Sequence, residues 1–205
     1  MGKSVYCTLE VAVQDFCAGK FLILVDAQER ENEGDLIVAA EHISGDKINR
    51  MLLEARGMLH LATTEDHLDR LGVGLIEPHN ADHATPRFGL PFDALAGITT
   101  GVSAADRAES IRQTLDPDTS SQDIVIPGHG LPLAARREGL LARQGHTEGS
   151  VELARRAGLF PAAVMSEVMA SDGSMAKGQQ LVDFAIRFDC HIVDIEQIHQ
   201  AVLHA

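Results

Sequence analysis

The pattern that most constrains this chain lies in its first quarter: two short apolar runs, FLILVDA and LIVAAE, flank one dense polar stretch from Asp26 to Asp35. Each run is of strand length and continuous rather than alternating, which marks a strand buried on both faces. The stretch between them, DAQERENEGD, therefore turns at one end of a sheet, in a hairpin-like or crossover connection that gathers its charges there.

The rest of the chain alternates between helical and strand patterns. LEVAVQDFCAGK predicts a helix ending near Gly19, and Ser44 is placed to cap DKINRMLLEAR. GMLHLAT reads as a strand, and Thr64 caps a short helix, EDHLDRLG. From Ile76 to Gly97, Pro, His, Asn and Asp predominate without periodicity, which predicts a long loop with one embedded strand. Ser103 begins a helix, AADRAESIRQTL, whereas the Pro-Gly-His of IVIPGHGLPLAA argues against regular structure. Thr147 opens the helix TEGSVELARRAG, which Gly158 stops. AAVMSEVM is then a strand, GQQLVDFAIRF a helix, CHIVDI a strand and EQIHQAVLHA a last helix. No repeat or linker interrupts the series. The expectation is one α+β domain over residues 1–205, a mixed-sheet α/β sandwich with helices packed on the sheet.

Composition narrows the function classes. Seventeen basic against thirty acidic residues leave a formal charge of −13, which disfavours a phosphate backbone as partner and excludes nucleic acid from the expected ligands. Seven Phe, one Tyr and no Trp leave little for base stacking. A small phosphate stays open, because a few Arg side chains and backbone N–H groups bind one locally. Cys7, Cys17 and Cys190 are odd in number and outside any CxxC spacing, so they read as free thiols in a reducing compartment. With no signal-like leader and no apolar run near membrane-spanning length, no membrane is expected and the cytoplasm is the default.

Three places carry candidate chemistry. In Arg30-Glu31-Asn32-Glu33-Gly34-Asp35, three carboxylates and an Arg crowd into six residues. Either this is a solvated acidic turn, or a cation compensates the charge; hard oxygen ligands of this kind suit Mg²⁺ or Mn²⁺. In Arg143-Gln144-Gly145-His146-Thr147-Glu148, a helix start offers unpaired N–H groups, Gly145 allows close approach, and Arg143 and Thr147 add donors. That is the architecture of a small phosphate site, or else Thr147 is only an N-cap and His146 a surface residue. Glu167 interrupts an apolar strand, where burial would raise its pKa into an acid/base range unless it points to solvent. His129, in Pro127-Gly128-His129-Gly130, sits in what is more often a turn but is kept as a catalytic candidate. His42, His67, His191, His199 and His204 are expected at the surface, and His79 with His83 is too loose a pair to be a metal site.

Taken in order, RENEGDLI at 30–37, TTGVSAADRA at 99–108, PGHGLPL at 127–133, RQGHTEGSVELARRAGLFP at 143–161 and SEVMASDGSMAK at 166–177 resemble 3,4-dihydroxy-2-butanone 4-phosphate synthase, a family of riboflavin biosynthesis. The resemblance runs from about Asp15 to Ile198. It implies a homodimer with active sites at the subunit interface and two divalent metals, usually Mg²⁺, per site. It also implies a reaction in which the sugar phosphate ribulose 5-phosphate loses one carbon as formate and yields 3,4-dihydroxy-2-butanone 4-phosphate. On the same basis Glu31 and His146 are implied as metal ligands, and Arg30 and Asp35 as sugar contacts. Arg143, Gly145 and Thr147 fall in the phosphate-proximal segment, and Glu167 handles substrate hydroxyls and protons. No second domain resembling GTP cyclohydrolase II is expected.

The sequence departs from the family pattern in places. His60 stands where a Cys is usual and is a candidate replacement acid/base, Ser166 replaces a Cys before Glu167, and HATPRF brings Pro86 and Arg87 near the site. Gly130 replaces a bulkier apolar residue, and Gly149 an Ala. These departures keep two further readings open: a divergent paralogue acting on a related sugar phosphate, and a non-catalytic dimeric relative.

Overall fold

In the computed structural model, which describes residues 5–27, 29–80 and 85–204, the two apolar runs become adjacent antiparallel strands. These are β1 (Leu22–Val25) and β2 (Gly34–Ala39), both buried throughout. The remaining strands are β3 (His60–Thr64), β4 (Arg87–Phe88), β5 (Phe92–Ala94), β6 (Ile124–Ala135), β7 (Ala163–Glu167) and β8 (His191–Asp194). Their order across one mixed sheet is β4-β6-β3-β7-β2-β1-β8, with β5 paired to β6 off that path. The helices are α1 (Leu9–Cys17), α2 (Gly45–Glu54), α3 (Glu65–Arg70), α4 (Ala104–Thr114), α5 (His146–Arg156), α6 (Gln179–Phe188) and α7 (Ile195–Leu203).

Alternate residues of the strands feed two separate cores. Ile23, Leu36, Val38, Leu61 and Val164 pack with α2, α4 and α6 through residues such as Met51, Ile111 and Phe184. Leu22, Leu24, Ile37, Ala62 and Met165 pack on the other face against Phe16 of α1, Val151 of α5 and Ile198 of α7. Helices on both faces are the cover that continuously apolar strands require.

Local signals in the sequence set most boundaries. Ser44 accepts from the Lys47 amide at 3.3 Å, Thr64 from His67 at 3.2 Å and Ser103 from Asp106 at 3.0 Å, so these three expected caps are made. Long-range pairing overrides them elsewhere. IVIPGHGLPLAA, expected to be irregular, is the twelve-residue strand β6. Its second half pairs in parallel with β3, Leu131 opposite His60, and its first residues pair with β5. The Pro-Gly-His signal survives as a register break: Val125 faces Asp93, but Gly130 faces Phe92. Among the described residues between Ile76 and Gly97 two short strands form, where one was expected. Helix α5 starts at His146, one residue before Thr147, so Gly145 occupies the cap position and Thr147 lies in the first turn. His83 lies outside the described residues.

His67 corrects another expectation. It is 4% exposed, not a surface residue. Its Nε2–H donates to the Thr114 carbonyl at 2.8 Å, which leaves Nδ1 to accept from the Thr63 hydroxyl at 2.7 Å. Burial pushes the imidazole pKa down to about 4. Because the fold favours neutral His67, this stability is full above the unfolded pKa of roughly 6.5 and is lost as pH falls from there toward 4. The expected loss between pH 7 and pH 5 is about 2 kcal/mol. Melting curves of the wild type and of His67→Gln should show the steeper acid dependence in the wild type; equal slopes would refute the assignment.

Candidate active site

The polar stretch after β1 folds around Asp26. This side chain is 5% exposed and accepts from the amides of Glu31 at 3.1 Å and Glu33 at 2.8 Å, and from Arg30 Nη1 at 2.6 Å. Burial works against the charge on Asp26, but these hydrogen bonds and His146 outweigh it and hold the pKa below the ordinary carboxylate value. Arg30 also reaches Glu31 Oε1 through Nη2 at 2.8 Å, so one guanidinium bridges two carboxylates. Asn32, at φ 54°, takes the left-handed turn that swings the loop back into β2.

Helix α5 points its start at this loop. One ligand atom each from Asp26, Glu31 and His146 lie within 4.8 Å of one another. Asp26 and His146 are buried and Glu31 is exposed, which leaves an open side. Nε2 of His146 is buried with no hydrogen-bond partner, an unfavourable state for a polar atom unless something outside the chain satisfies it. Two carboxylates and an unsatisfied imidazole nitrogen fit a divalent cation such as Mg²⁺ or Mn²⁺.

The same helix start keeps its N–H groups available, because Gly145 provides no side-chain cap. Arg143 folds over Gly145, where a Cβ would lie 2.6 Å from the Arg143 Cζ. It pairs with Glu148 at 2.8 Å, both side chains buried. Thr147 is 4% exposed in the first turn.

The sheet brings in the remaining groups. Asp35 and Glu167 face each other across β2 and β7, and His60 is opposite Met165 on β3. Met165 and Ala62 belong to the core beneath α5, so alternation places Asp35, Glu167 and His60 on that same face. Asp35 is almost fully buried, and burial, reinforced by Glu167, pushes its carboxyl up to about 6. Glu167 is partly exposed and accepts from the Met58 amide at 2.8 Å, while its other oxygen lies 3.7 Å from His60 Nε2. His60 is 4% exposed; its burial lowers its pKa, and its Nδ1 has no partner.

Two expected site residues have other partners. His129 donates its amide to Asp93 at 3.0 Å and places Nδ1 2.7 Å from the same carboxylate. Among the described residues no hydrogen bond or ion pair joins it to Asp26, Glu31 or His146. Arg87 makes a two-pronged bond to Glu65 at 2.8 and 2.9 Å, which ties β4 to the start of α3. Sequence reasoning also left Asp26, Asp93, Glu148 and Lys177 without roles. Asp26 was detectable as the first charge after a buried strand, and Glu148 as the acid of a first helical turn. Asp93 and Lys177 gave no local signal.

Fold and site together define a mixed-sheet α/β protein with a carboxylate–imidazole cluster, of a chemistry that fits a divalent cation, at one end of its central strands. A family model described as 3,4-dihydroxy-2-butanone 4-phosphate synthase matches residues 10–201. The riboflavin biosynthesis protein RibBA of Parabacteroides distasonis is 45% identical over 192 residues, 93% of this chain and 47% of its own length. The 3,4-dihydroxy-2-butanone 4-phosphate synthase of Pseudomonas aeruginosa is 41% identical over 198 residues, 96% of this chain and 54% of its own. A solved 3,4-dihydroxy-2-butanone 4-phosphate synthase in complex with two magnesium ions superposes with TM-score 0.90 at 33% identity, covering 98% of both chains. The chain belongs to the 3,4-dihydroxy-2-butanone 4-phosphate synthase family. It spans about half the length of the curated relatives it matches.

Proposed function

We propose that this chain converts ribulose 5-phosphate into 3,4-dihydroxy-2-butanone 4-phosphate and formate with two Mg²⁺ ions, or Mn²⁺, per site. The observation that carries the reading is the convergence of Asp26, Glu31 and the unsatisfied His146 Nε2 beside an uncapped helix start. Bound divalent cations would hold the ketose oxygens and offset the negative charge that develops on them.

The chain's own groups do the rest. The N–H groups at the start of α5, with Thr147 and Arg143, bind the phosphate, and Gly145 lets it approach. Arg30 and Asp35 contact the sugar. Glu167 is fixed by the Met58 amide through one oxygen, so the other is directed to take and return substrate protons. His60, beside that oxygen, is a second acid/base group. A relative solved with two magnesium ions supports the metal count.

A homodimer with interfacial sites accounts for the β5–β6 arm. Leu95, Val125 and Ile126 are exposed there, an apolar surface that a second copy would cover. His129, on this arm and bonded to Asp93, would then serve at the interface. Unpaired Cys7, Cys17 and Cys190 suit the cytoplasm; no described helix is long and apolar enough to cross a membrane.

The direct test follows purified protein with ribulose 5-phosphate and Mg²⁺ by ¹³C NMR. Formate and the four-carbon phosphate should accumulate together and stop on addition of EDTA. Binding of the sugar phosphate without formate would overturn the reading and favour a divergent or non-catalytic relative.

A further inference from the structure

The loop that carries Glu31 is held from outside as well as from within. Its main chain at Glu31 is gripped on both sides: the N–H donates to Asp26 at 3.1 Å, and the carbonyl accepts from Lys177 Nζ at 2.7 Å. The same ammonium lies 3.6 Å from Glu33 Oε1. Lys177 is itself well anchored. Its amide donates to Gln180 Oε1 at 3.1 Å, and its carbonyl accepts from the Gln180 amide at 3.0 Å. It therefore sits just before the first turn of α6, a helix fastened to the core by Leu181, Phe184 and Phe188. One end of the tie is rigid, and the other fixes the peptide from which a metal-binding carboxylate projects.

We propose that Lys177 is a positioning residue for the cation site: it orients Glu31 through the main chain and thereby strengthens metal binding, although it carries a positive charge. The proposal rests on the reading of Asp26, Glu31 and His146 as that site. Two effects of Lys177 oppose each other. As a nearby charge it repels a divalent cation, so removing it should tighten binding. As an outer partner of a ligand it fixes geometry, and loss of such a partner costs roughly 10- to 100-fold in metal affinity. The direct 2.7 Å bond to the Glu31 carbonyl decides for the second. The charge effect is weakened by solvent, since the Lys177 side chain is 46% exposed.

The sign of the change makes this testable without substrate. Mn²⁺ is titrated into the whole protein and free ion is read by EPR, for the wild type, Lys177→Met and Lys177→Arg. Hydrogen exchange of the amides at 29–35 is measured on the same samples. Lys177→Met should bind Mn²⁺ about tenfold or more weakly and exchange faster in this segment, and Lys177→Arg should restore both. If melting shows that the Met variant is unfolded, Lys177→Gln takes its place. Unchanged or tighter Mn²⁺ binding in the apolar or Gln variant overturns the proposal. Should Glu31→Gln bind Mn²⁺ as tightly as the wild type, the metal reading itself fails, which is a separate result.

Discussion

Glu31→Gln should abolish formate release, with turnover falling on the order of a thousandfold or more, while the protein keeps its melting temperature within a few degrees. The two halves of this expectation have different sources. The loop is held by main-chain groups at residue 31, the N–H to Asp26 and the carbonyl to Lys177, and the substitution touches neither. What the side chain loses is its pairing with Arg30, in which Glu31 is 48% exposed, and a pair so open to solvent contributes at most about 1 kcal/mol. The charge of the carboxylate is another matter, because among the described residues the cluster offers two carboxylates and one imidazole to a cation. Initial rates at saturating Mg²⁺, read beside the melting curve, check both halves. A variant that keeps more than about a tenth of the activity would remove Glu31 from the ligand set.

Gly57→Ala is expected to have the second largest effect, through contact alone. A Cβ at this position would lie 2.5 Å from Glu167 Oε2 and 2.7 Å from the Glu167 amide nitrogen, and closer still to the carbonyl oxygen. Neither the backbone of β7 nor a carboxylate already bonded to Met58 can withdraw cheaply. Overpacking of this kind costs about 1–3 kcal/mol of stability. Glu167 would also be displaced from its bond, and a shift near 1 Å at a proton-handling group costs about a hundredfold in rate. Gly74→Ala is the control, since a Cβ there meets only Leu90 at 3.7 Å. Equal kcat in the two variants would mean that the Glu167 position is not critical.

How much of this could be read in the sequence follows from how local each feature is. Ser44, Thr64 and Ser103 cap as expected because the bond each makes spans three residues. The burial of FLILV and LIVAA is written in their composition. By contrast, β6 is regular because β3 and β5 supply its hydrogen bonds, and neither neighbour can be inferred from Pro-Gly-His. His67 is buried because Thr114, distant in sequence, offers it an acceptor. The site divides in the same way. Glu31 and His146 stand in the motifs that carry the family resemblance, and the fold brings their ligand atoms close to each other. Asp26 carries a local signal as the first charge after β1, but its hydrogen-bonding role at the base of the loop emerges only once the chain turns back at Asn32. HATPRF places Arg87 near the site in the sequence pattern, whereas its geometry gives it to Glu65.

Lys177 and Glu31 are 146 residues apart, and Asp35 meets Glu167 only once β2 and β7 have paired. No contiguous fragment short of most of the chain contains the groups that must act together, and contacts this distant in sequence are slow to form. Enzymatic turnover is therefore a stricter gauge of nativeness than helix content. During refolding, circular dichroism should recover while the protein is still inert, and activity should return only when the middle of the sheet has closed.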